Sequence, residues 1–391
     1  MLDRDLLRVE FPLARDWCYL ASASNGILPE RSRRYLERYL AEHHYLELDQ
    51  HYRMFEDLAA IRERAARLFG GQAANWALLP NTSYGLNTVA AALDWRPGDN
   101  VVLANCEFPA NVTPWQNLAR RGVAIHWVAA RDQRAQAESL IAACDGRTRA
   151  LAVSGVQFHN GYAPDLPRLA QHCQEQRIWL CVDGIQGLGN RNWDLPALGV
   201  DFLAAGGQKW LCAPRGTGLL YLADRALVAL REGVLKQAHL GWLNTEWWKF
   251  TDLLDYTRPL TPDARRLEVG TYAFHDFVCL GHSLELLETL GLAAVAAHGD
   301  ALRERLLDGL LGARLLAPTG PYTACCADDV VLRRSQILAL GCPDPIGVWR
   351  LLAAQRIAVN PREGGIRVSF HHYNDEGDVD RLLTALAAIA A

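Results

Sequence analysis

The sequence predicts an α/β protein with a large domain, built on a mainly parallel seven-stranded sheet, and a smaller C-terminal α/β domain. Three observations support this prediction. The chain has 391 residues, of which 50% are hydrophobic, so it can bury the cores of two domains. After Gly71, short apolar runs alternate with helical segments, which is typical of parallel strands covered by helices. Past Leu222 this alternation stops, and a shorter strand and helix pattern returns only near the C-terminus.

Seven apolar runs supply the strands of the large sheet. They are separated mostly by helical segments, such as 84–93 and 166–176. In open sheets of this kind ligands bind beyond the carboxyl ends of the strands, so the residues that follow each run are candidates for a site. The runs are 76–79, 101–104, 124–128, 150–154, 179–182, 202–205 and 218–222.

Helical patterns flank this sheet. A helix over 30–69 follows a short strand and a small-residue loop, and the loop, which contains Asn25, can lie against a ligand. His43, His44 and His51 fall on this helix, and we expect them on its solvated face rather than in a metal site. A second long helical stretch, 274–311, is expected to link the two domains.

The C-terminal unit completes the predicted organisation. We expect an N-terminal segment over 1–29, a large domain over 30–258, and a linking helix with the small domain over 259–391. An aromatic loop, Trp242 to Trp248, lies near the end of the large domain. The small domain is predicted from a strand at 337–339, a helix at 346–355, a strand at 366–370 and a final helix at 376–390.

Composition argues against several classes of function. The formal net charge is -4, and the 40 Lys and Arg residues form no basic stripe, so neither nucleic acid nor membrane is an expected partner. No signal-peptide pattern or membrane-spanning run is evident, and a cytoplasmic location is expected. The 10 cysteines include no CxxC pair, so most are expected to be reduced core residues. Cys325 and Cys326 lack other ligands at metal spacing, and we expect no metal site.

One lysine stands out for its surroundings. Lys209 follows the apolar run 202–205 and the pair Gly206-Gly207, and a further strand comes after it. Apolar surroundings disfavour the ammonium form, which leaves a neutral amine able to form a Schiff base with a carbonyl. The alternative is a surface lysine on a turn, and this stretch alone does not separate the two.

Two other strand ends supply polar groups. Asn81, Thr82 and Ser83 open a helix after the first strand, where hydroxyls and free backbone N–H groups favour an anion such as phosphate, although ordinary N-capping would use the same residues. Asp183 ends the run 179–182 and could hold a ring nitrogen protonated, with Gln186 as a donor to a ring oxygen. An Asp that caps the next helix is the alternative, but it does not explain why a strand-end Asp and a strand-end Lys occur together.

These motifs together resemble the class V aminotransferase and cysteine desulfurase family of fold-type I enzymes that use pyridoxal phosphate. The resemblance covers nearly the whole chain and implies an enzyme with this cofactor, a small-molecule amino-acid substrate, and a homodimer with shared active sites. It is carried by the motifs Asn81-Thr-Ser-Tyr-Gly85, Val182-Asp-Gly-Ile-Gln186, Gly206-Gly-Gln-Lys-Trp210 and Arg367-Val-Ser-Phe-His-His-Tyr-Asn374.

The resemblance assigns roles to single residues. Lys209 resembles the Schiff-base lysine and Asp183 the partner of the pyridine nitrogen, both catalytic. Arg367 resembles the arginine that grips the substrate carboxylate, with Arg362 as a second candidate. The remaining cofactor contacts are the ring-oxygen donor Gln186, the phosphate residues Thr82 and Ser83, the ring-covering Phe108 of Glu107-Phe-Pro-Ala-Asn111, Gln208 beside the lysine, and Gly270 and Thr271, which reach the phosphate from the neighbouring subunit.

Three departures from the family narrow the function. Phe108 and Gln208 stand where relatives often have histidine, and from Pro343 to Ala391 the chain has no cysteine. Cysteine desulfurases carry a persulfide-forming cysteine shortly before the arginine, so sulfur transfer through a persulfide is disfavoured. We therefore expect an aminotransferase or a carbon–sulfur (β) lyase, with an epimerase similar to isopenicillin N epimerase as the alternative.

Overall fold

The structure is a computed structural model that describes residues 2–42, 48–131, 133–245, 252–325, 335–362 and 364–390, with side chains from residue 53 onward in the helix that begins at Leu48. His43, His44, Cys326 and Trp248 therefore lie outside the described residues, as does the side chain of His51. The helices are α1 Arg4–Glu10, α2 Leu13–Asp16, α3 Glu30–Glu42, α4 Leu48–Phe69, α5 Thr82–Ala92, α6 Thr113–Gln116, α7 Ala137–Ala142, α8 Leu166–Glu175, α9 Leu195–Leu198, α10 Asp224–Arg231, α11 Phe274–Leu290, α12 Leu292–Gly312, α13 Pro345–Ala354 and α14 Glu376–Ala390.

Strands and short 3₁₀ helices complete the described elements. The strands are β1 Cys18–Tyr19, β2 Trp76–Leu78, β3 Asn100–Ala104, β4 Ala124–Val128, β5 Thr148–Ser154, β6 Trp179–Asp183, β7 Phe202–Gly206, β8 Gly218–Leu222, β9 Thr323–Ala324, β10 Ile337–Gly341, β11 Ile357–Ala358, β12 Asn360–Arg362 and β13 Gly365–Ser369. The 3₁₀ helices are Ala73–Asn75, Pro109–Asn111, Asn117–Arg121, Trp242–Asn244 and Ala264–Leu267.

The large sheet confirms the predicted fold class. Its seven strands lie in the order β2-β8-β7-β6-β5-β3-β4, and each corresponds to one of the predicted apolar runs. Strand β8 runs antiparallel to both of its neighbours, β2 and β7. The other described pairs of this sheet are parallel. Helices pack a hydrophobic core against each face, which explains why most of these strands are apolar without interruption.

The C-terminal part is built on a second, antiparallel sheet. Its order is β12-β13-β10-β9, and β13 lies between β12 and β10. The N-terminal strand β1 pairs in parallel with β11, with Cys18 opposite Ile357. The first residues of the chain thus pack against its last hundred, a contact that the sequence did not predict. The division into 1–29, 30–258 and 259–391 remains a prediction.

Two predicted helices are wrong in their extent. The stretch 274–311 is not one helix, because α11 and α12 meet at Gly291 with a bend of 79°. Gly291 has φ +76°, a conformation that glycine adopts without strain. The pattern 30–69 is likewise divided into α3 and α4, and two short helices, α1 and α2, precede β1 where the sequence predicted none. At its C-terminal end α4 does stop at Gly70, as predicted, with φ +90°.

Within the described ranges no single helix is long and apolar enough to cross a bilayer. The bent pair α11 and α12 passes by length and composition together, and both helices contribute residues to the buried cores.

Candidate active site

Lys209 and Asp183 lie at the carboxyl ends of neighbouring strands. Asp183 is the last residue of β6 and pairs with Ala204 of β7, and Lys209 follows three residues after β7 ends. The loop after β1 packs directly on this turn, since the Gly26 N–H donates to the Gln208 carbonyl at 2.8 Å. A Cβ on Gly26 would lie 2.1 Å from the Lys209 carbonyl oxygen, so only glycine fits this approach. The structure thus brings the two predicted catalytic residues together.

Burial shifts the charge of both groups toward neutrality. It lowers the pKa of Lys209 to about 8, an effect that the charge of Asp183 opposes and those of Arg367 and Arg362 reinforce. Burial raises the pKa of Asp183 to about 6. Two groups act in the opposite direction and lower this pKa: the Ile185 N–H, which donates a hydrogen bond of 3.0 Å to the carboxylate, and the charge of Lys209. Lys209 is therefore an amine that becomes neutral far more readily than an exposed lysine.

Two phenylalanines line the approach to Lys209. The Lys209 ammonium lies 5.8 Å from the centroid of the Phe108 ring. Phe108 is 43% exposed and meets Phe158 edge-on, with ring centroids 5.2 Å apart. Phe108 therefore lies where a ring-covering residue is expected, and it offers no titratable group.

Gln186 is held on two sides. Its amide nitrogen donates to the Ala23 carbonyl at 2.9 Å, and its amide oxygen accepts from the Trp210 indole at 2.8 Å. One amide N–H remains for a ligand. The Gln208 side chain is partly buried and lies over Gly206.

The start of α5 keeps both of its proposed functions open. The Asn81 side chain accepts from the Tyr84 N–H, which is ordinary N-capping. The Thr82 hydroxyl accepts from the Gly206 N–H at 2.8 Å, which ties the helix start to the end of β7, while Ser83 is exposed. Among the described residues no hydrogen bond is made by the N–H groups of Thr82 and Ser83, as expected at the first turn of a helix.

Arg367 is a buried cation that contacts no carboxylate of the described residues. It is 2% exposed, and in the part of the chain that the structure describes it forms no ion pair. One guanidinium nitrogen donates to the Phe158 carbonyl, another donates to the Ser24 hydroxyl at 2.6 Å, and Nε is buried without a partner. Burial, reinforced by the charge of Arg362, lowers the pKa of Arg367 to about 9.

Arg362 contacts the same Ser24 hydroxyl as Arg367. It lies on β12, opposite Gly365 of β13, and donates to the Ser24 hydroxyl at 3.2 Å. Only residues 363 and 364 separate the two strands, which form a tight hairpin. Ser24 was not among the predicted site residues, although the small-residue loop that carries it was.

The other predicted residues lie nearby or at the surface. Asn25 is partly buried beside Ser24, and its amide donates to the Gly26 carbonyl. Gly270 and Thr271 instead line a surface pocket of about 350 Å³ with Tyr84. Pro80 and Tyr84, which flank the predicted phosphate residues Thr82 and Ser83 in the chain, line the same pocket.

Sequence reasoning missed Glu107, a buried carboxyl. It follows β3, is 8% exposed, and burial raises its pKa to about 7. A charged residue close behind an apolar strand was the signal that could have found it. Phe158 was missed as well, since a lone aromatic residue after β5 is equally typical of a core.

Cys212, His371 and His372 form the group of possible metal ligands found among the described residues. Their sulfur and ring nitrogens lie within 4.8 Å of one another. His371 Nε2 lies 2.8 Å from the Trp210 carbonyl oxygen, and its Nδ1 accepts from the His372 N–H, so both ring nitrogens are engaged. Burial raises the pKa of the Cys212 thiol. As arranged, these side chains offer fewer than the three free ligands that a zinc site requires.

Comparison with known proteins decides the family. The model of the family described as Aminotransferase class-V matches residues 24–332. The chain belongs to this family. It is 33% identical over 356 residues to a probable cysteine desulfurase of Pseudomonas aeruginosa, covering 84% of this chain and 81% of the relative. It is also 28% identical over 351 residues to isopenicillin N epimerase of Streptomyces clavuligerus, covering 84% and 83%.

Solved structures share the fold of this class V protein. The apo structure of a cysteine desulfurase from Thermococcus onnurineus NA1 superposes with a TM-score of 0.84 at 20% identity, covering 100% of this chain and 98% of the other. A complex of the cystine C–S lyase C-DES with cysteine persulfide gives 0.85 at 22% identity, covering 96% and 99%. The fold-type I architecture is therefore confirmed.

As a class V family member, the protein is a pyridoxal-phosphate-dependent enzyme. The site residues fit this cofactor. Lys209 supplies an amine whose pKa is already lowered. Asp183 is a buried carboxyl whose raised pKa indicates that a nearby cation would stabilise it. Such a cation is what a protonated pyridine nitrogen provides.

Proposed function

We propose that this enzyme acts on an α-amino acid as an aminotransferase or a carbon–sulfur (β) lyase, with Lys209 as the covalent anchor of the cofactor. The observation that carries the proposal is the buried guanidinium of Arg367, which has no carboxylate partner among the described residues and lies in the same site as Lys209. A buried arginine is costly without an anion, and a substrate carboxylate would be its partner.

Lys209 and Asp183 divide the chemistry. Bound pyridoxal phosphate supplies an electron sink that weakens the bonds to the substrate Cα. Lys209 Nζ, as a free amine, would take the Cα proton of the substrate, and its lowered pKa suits this base role near neutral pH. The Asp183 carboxylate holds the proton on the pyridine nitrogen, and its burial strengthens that hydrogen bond.

The remaining residues orient the substrate and the cofactor. Arg367 binds the substrate carboxylate, while Arg362 and Asn25 flank it at the Ser24 loop. Thr82 and Ser83 hold the phosphate at the start of α5, Gln186 donates its free N–H to the ring oxygen, and Phe108 covers the ring. Gln208 lies beside the lysine as a polar contact.

A homodimer is part of this proposal. Gly270 and Thr271 are at least partly exposed and line a surface pocket, so they are accessible to a second subunit. We propose that they reach the phosphate of the partner subunit, so that two active sites are shared. Size measurement by light scattering, together with loss of cofactor affinity in Thr271→Ala, would support this arrangement, whereas a fully active monomer would contradict it.

Persulfide transfer is not proposed, although several relatives are named cysteine desulfurases. The hairpin of β12 and β13 leaves only two residues between the strands ahead of Arg367, and neither is a cysteine. Cys342 packs against the core of the small sheet, on the side away from Arg367. Burial raises the pKa of both Cys342 and Cys325, which disfavours the thiolate that an attack on sulfur requires.

An epimerase is the second candidate, because isopenicillin N epimerase matches over most of both chains. Inversion requires a proton to be delivered to the face of Cα opposite the one from which it left. Phe108 provides no such proton, which favours the transaminase or lyase.

The proposal is tested with a panel of amino acids, each incubated with and without a keto-acid acceptor. Pyruvate, ammonia, sulfide, new amino acid and the chirality of the recovered substrate are measured, with Lys209→Ala as the control. A new amino acid that requires the acceptor indicates transamination, and pyruvate with ammonia indicates elimination. Inverted substrate without either product would establish the epimerase and contradict the proposal.

A further inference from the structure

Arg362 and Arg367 meet at one hydroxyl group. A guanidinium nitrogen of Arg362 lies 3.2 Å from the Ser24 oxygen and one of Arg367 lies 2.6 Å from it, so the two nitrogens are within about 6 Å of each other. Their other recorded hydrogen bonds go to the backbone carbonyls of Pro361 and Phe158, and no carboxylate of the described residues pairs with either arginine. Two cations are thus held side by side at the loop after β1.

Further donors face the same point. The Ser24 oxygen accepts from both arginines, and within the described ranges no acceptor is found for its hydrogen. A serine hydroxyl has one hydrogen to donate, so this donor remains for a bound anion. Arg367 Nε, which is buried without a partner, is another. Positive charge together with such donors is the chemistry of an anion site.

The other charges of the proposed site do not balance these two cations. Asp183 is assigned to the pyridine nitrogen and the cofactor phosphate to the start of α5, so neither anion is available to the arginines. A single α-carboxylate neutralises only one guanidinium charge. The other remains beside it, and like charges at this separation repel each other. This repulsion acts on Arg367, whose pKa is lowered by burial and further by the charge of Arg362.

We propose that the substrate is an α-amino acid with a second carboxylate on its side chain, and that Arg362 binds this carboxylate while Arg367 binds the α-carboxylate. The inference rests on the proposed function, because it keeps Arg367 as the partner of the α-carboxylate. Arg362 is then the residue that determines specificity for an acidic side chain. The alternative is that both arginines share the α-carboxylate, in which case the charge of the side chain is not recognised.

The placement of the two arginines suits this division. Arg367 is 2% exposed and lies on β13, between β12 and β10, whereas Arg362 lies on the edge strand β12 and is only partly buried. A substrate anchored at the buried arginine can therefore direct its side chain to the more accessible one. With C–C bonds of about 1.5 Å, the carboxylate carbons of aspartate or glutamate are about 4–5 Å apart. Two guanidinium groups that share one oxygen can span this separation.

The test compares acids with amides of the same shape. Glutamate and glutamine, and aspartate and asparagine, are assayed with the cofactor-loaded enzyme, and the wild type should favour each acid over its amide by about 10- to 100-fold in kcat/KM. Arg362→Met should lower this ratio toward 1, because methionine carries no charge. Arg362→Lys should keep part of the preference. The matched control is Arg350→Met, the same substitution at an exposed arginine of α13, which should leave the ratio unchanged.

A second measurement needs no turnover. The thermal midpoint of the cofactor-loaded enzyme is compared in succinate and in succinamate, its monoamide, at equal concentration and ionic strength. Succinate should raise the midpoint more than succinamate does in the wild type, and this difference should disappear in Arg362→Met. Arg362→Gln, which is also uncharged, takes the place of Arg362→Met if that variant fails to fold or to bind cofactor.

Three results would overturn the inference. They are equal kcat/KM for acid and amide in the wild type, a preference for the acid that survives in Arg362→Met, and an equal loss of both substrates in that variant, which would show that the two arginines share the α-carboxylate. Failure of the proposed function would look different. The wild type would then consume no amino acid, and Lys209→Ala would give the same cofactor spectrum as the wild type, while the comparison of succinate with succinamate would still decide the role of Arg362.

Discussion

Replacement of Arg367 by methionine should stabilise the substrate-free protein while it weakens substrate binding. Methionine fills a similar volume but carries no charge and no donor. Arg367 is 2% exposed and has no carboxylate partner among the described residues, so its charge is a cost to the apoprotein. The same charge is what a substrate carboxylate would need.

The size of the stabilising effect can be estimated from the pKa. Burial holds the pKa of Arg367 at about 9, and the difference from the usual value of about 12.5 corresponds to roughly 4–5 kcal/mol at neutral pH. Because the folded-state pKa is the lower one, this penalty is fully present below pH 9 and is relieved as the pH rises through 9. Arg367→Met also removes the hydrogen bonds to the Ser24 hydroxyl and the Phe158 carbonyl, and this loss offsets about 2–3 kcal/mol of the gain in stability. A net gain of roughly 2 kcal/mol remains.

Arg62→Met is the matched control. Arg62 is also a buried arginine, but its Nε lies 3.0 Å from an oxygen of Glu268, itself buried. Its removal leaves Glu268 buried without its cation and should cost about 3–5 kcal/mol. The thermal midpoint of the apoprotein should therefore rise by a few degrees in Arg367→Met and fall in Arg62→Met.

Substrate binding supplies the second half of the test. Spectral titration with an amino acid should show affinity weaker by about 2–5 kcal/mol in Arg367→Met. If Arg367→Met lowered the thermal midpoint as much as Arg62→Met does, Arg367 would be a structural residue. If the wild type reacted equally well with an amino acid and with its decarboxylated amine, no carboxylate grip would exist.

Four further predictions concern the chemistry of the same site. Lys209→Ala should fold normally and lose turnover, since it lacks both the anchor and the base; near-wild-type activity of the purified variant would end the assignment. In the apoprotein, the rate of capture of added pyridoxal phosphate, followed by visible absorbance, should rise with pH and level off above about 8, where burial places the Lys209 pKa. Asp183→Asn should bind cofactor but turn over slower by orders of magnitude, because an amide cannot hold the ring nitrogen protonated. An unimpaired rate would show that Asp183 has only a structural role, as the residue that accepts a hydrogen bond from the Ile185 N–H. If sulfide is released from a cysteine-like substrate, mass spectrometry should find pyruvate and ammonia and no sulfur adduct on the enzyme, whereas alanine with an adduct on Cys325 or Cys342 would show a desulfurase.

The large sheet could be predicted because its strands are buried on both faces. Such strands are nearly continuous apolar runs, and the first polar residue after each run marks the end where ligands bind. Asp183 is the first polar residue after its run and Lys209 is the second after the next run, and the structure places both at the carboxyl ends of neighbouring strands. The rule does not give the partners of a side chain, so the hydrogen bond from the Ser154 N–H to Glu107 was missed.

The two-stranded sheet of β1 and β11 could not be predicted in the same way. Strand β1 has two residues and pairs with Ile357, more than three hundred residues away, so no local pattern records the pairing. The bend at Gly291 is similar, because a single glycine inside a helical pattern is tolerated as often as it breaks a helix. The pairing of β1 with β11 places the N-terminal loop beside the hairpin of Arg362 and Arg367, and sequence reasoning therefore reached the arginines without reaching Ser24.

The charges of Arg362 and Arg367 act on the pKa of Lys209, so the proposed binding of a substrate carboxylate and the reactivity of the lysine are coupled. Burial lowers the pKa of Lys209, and the charges of Arg367 and Arg362 add to this effect. The residues that we propose to bind a carboxylate therefore also favour the neutral amine, which is the form that reacts with the cofactor. Once a substrate carboxylate binds Arg367, its negative charge offsets that influence, and the pKa of the lysine should rise. A higher pKa makes the amine a stronger base at the stage when the Cα proton must be taken. An amine without a carboxylate would leave Lys209 a weaker base, so the carboxylate should contribute to kcat as well as to KM.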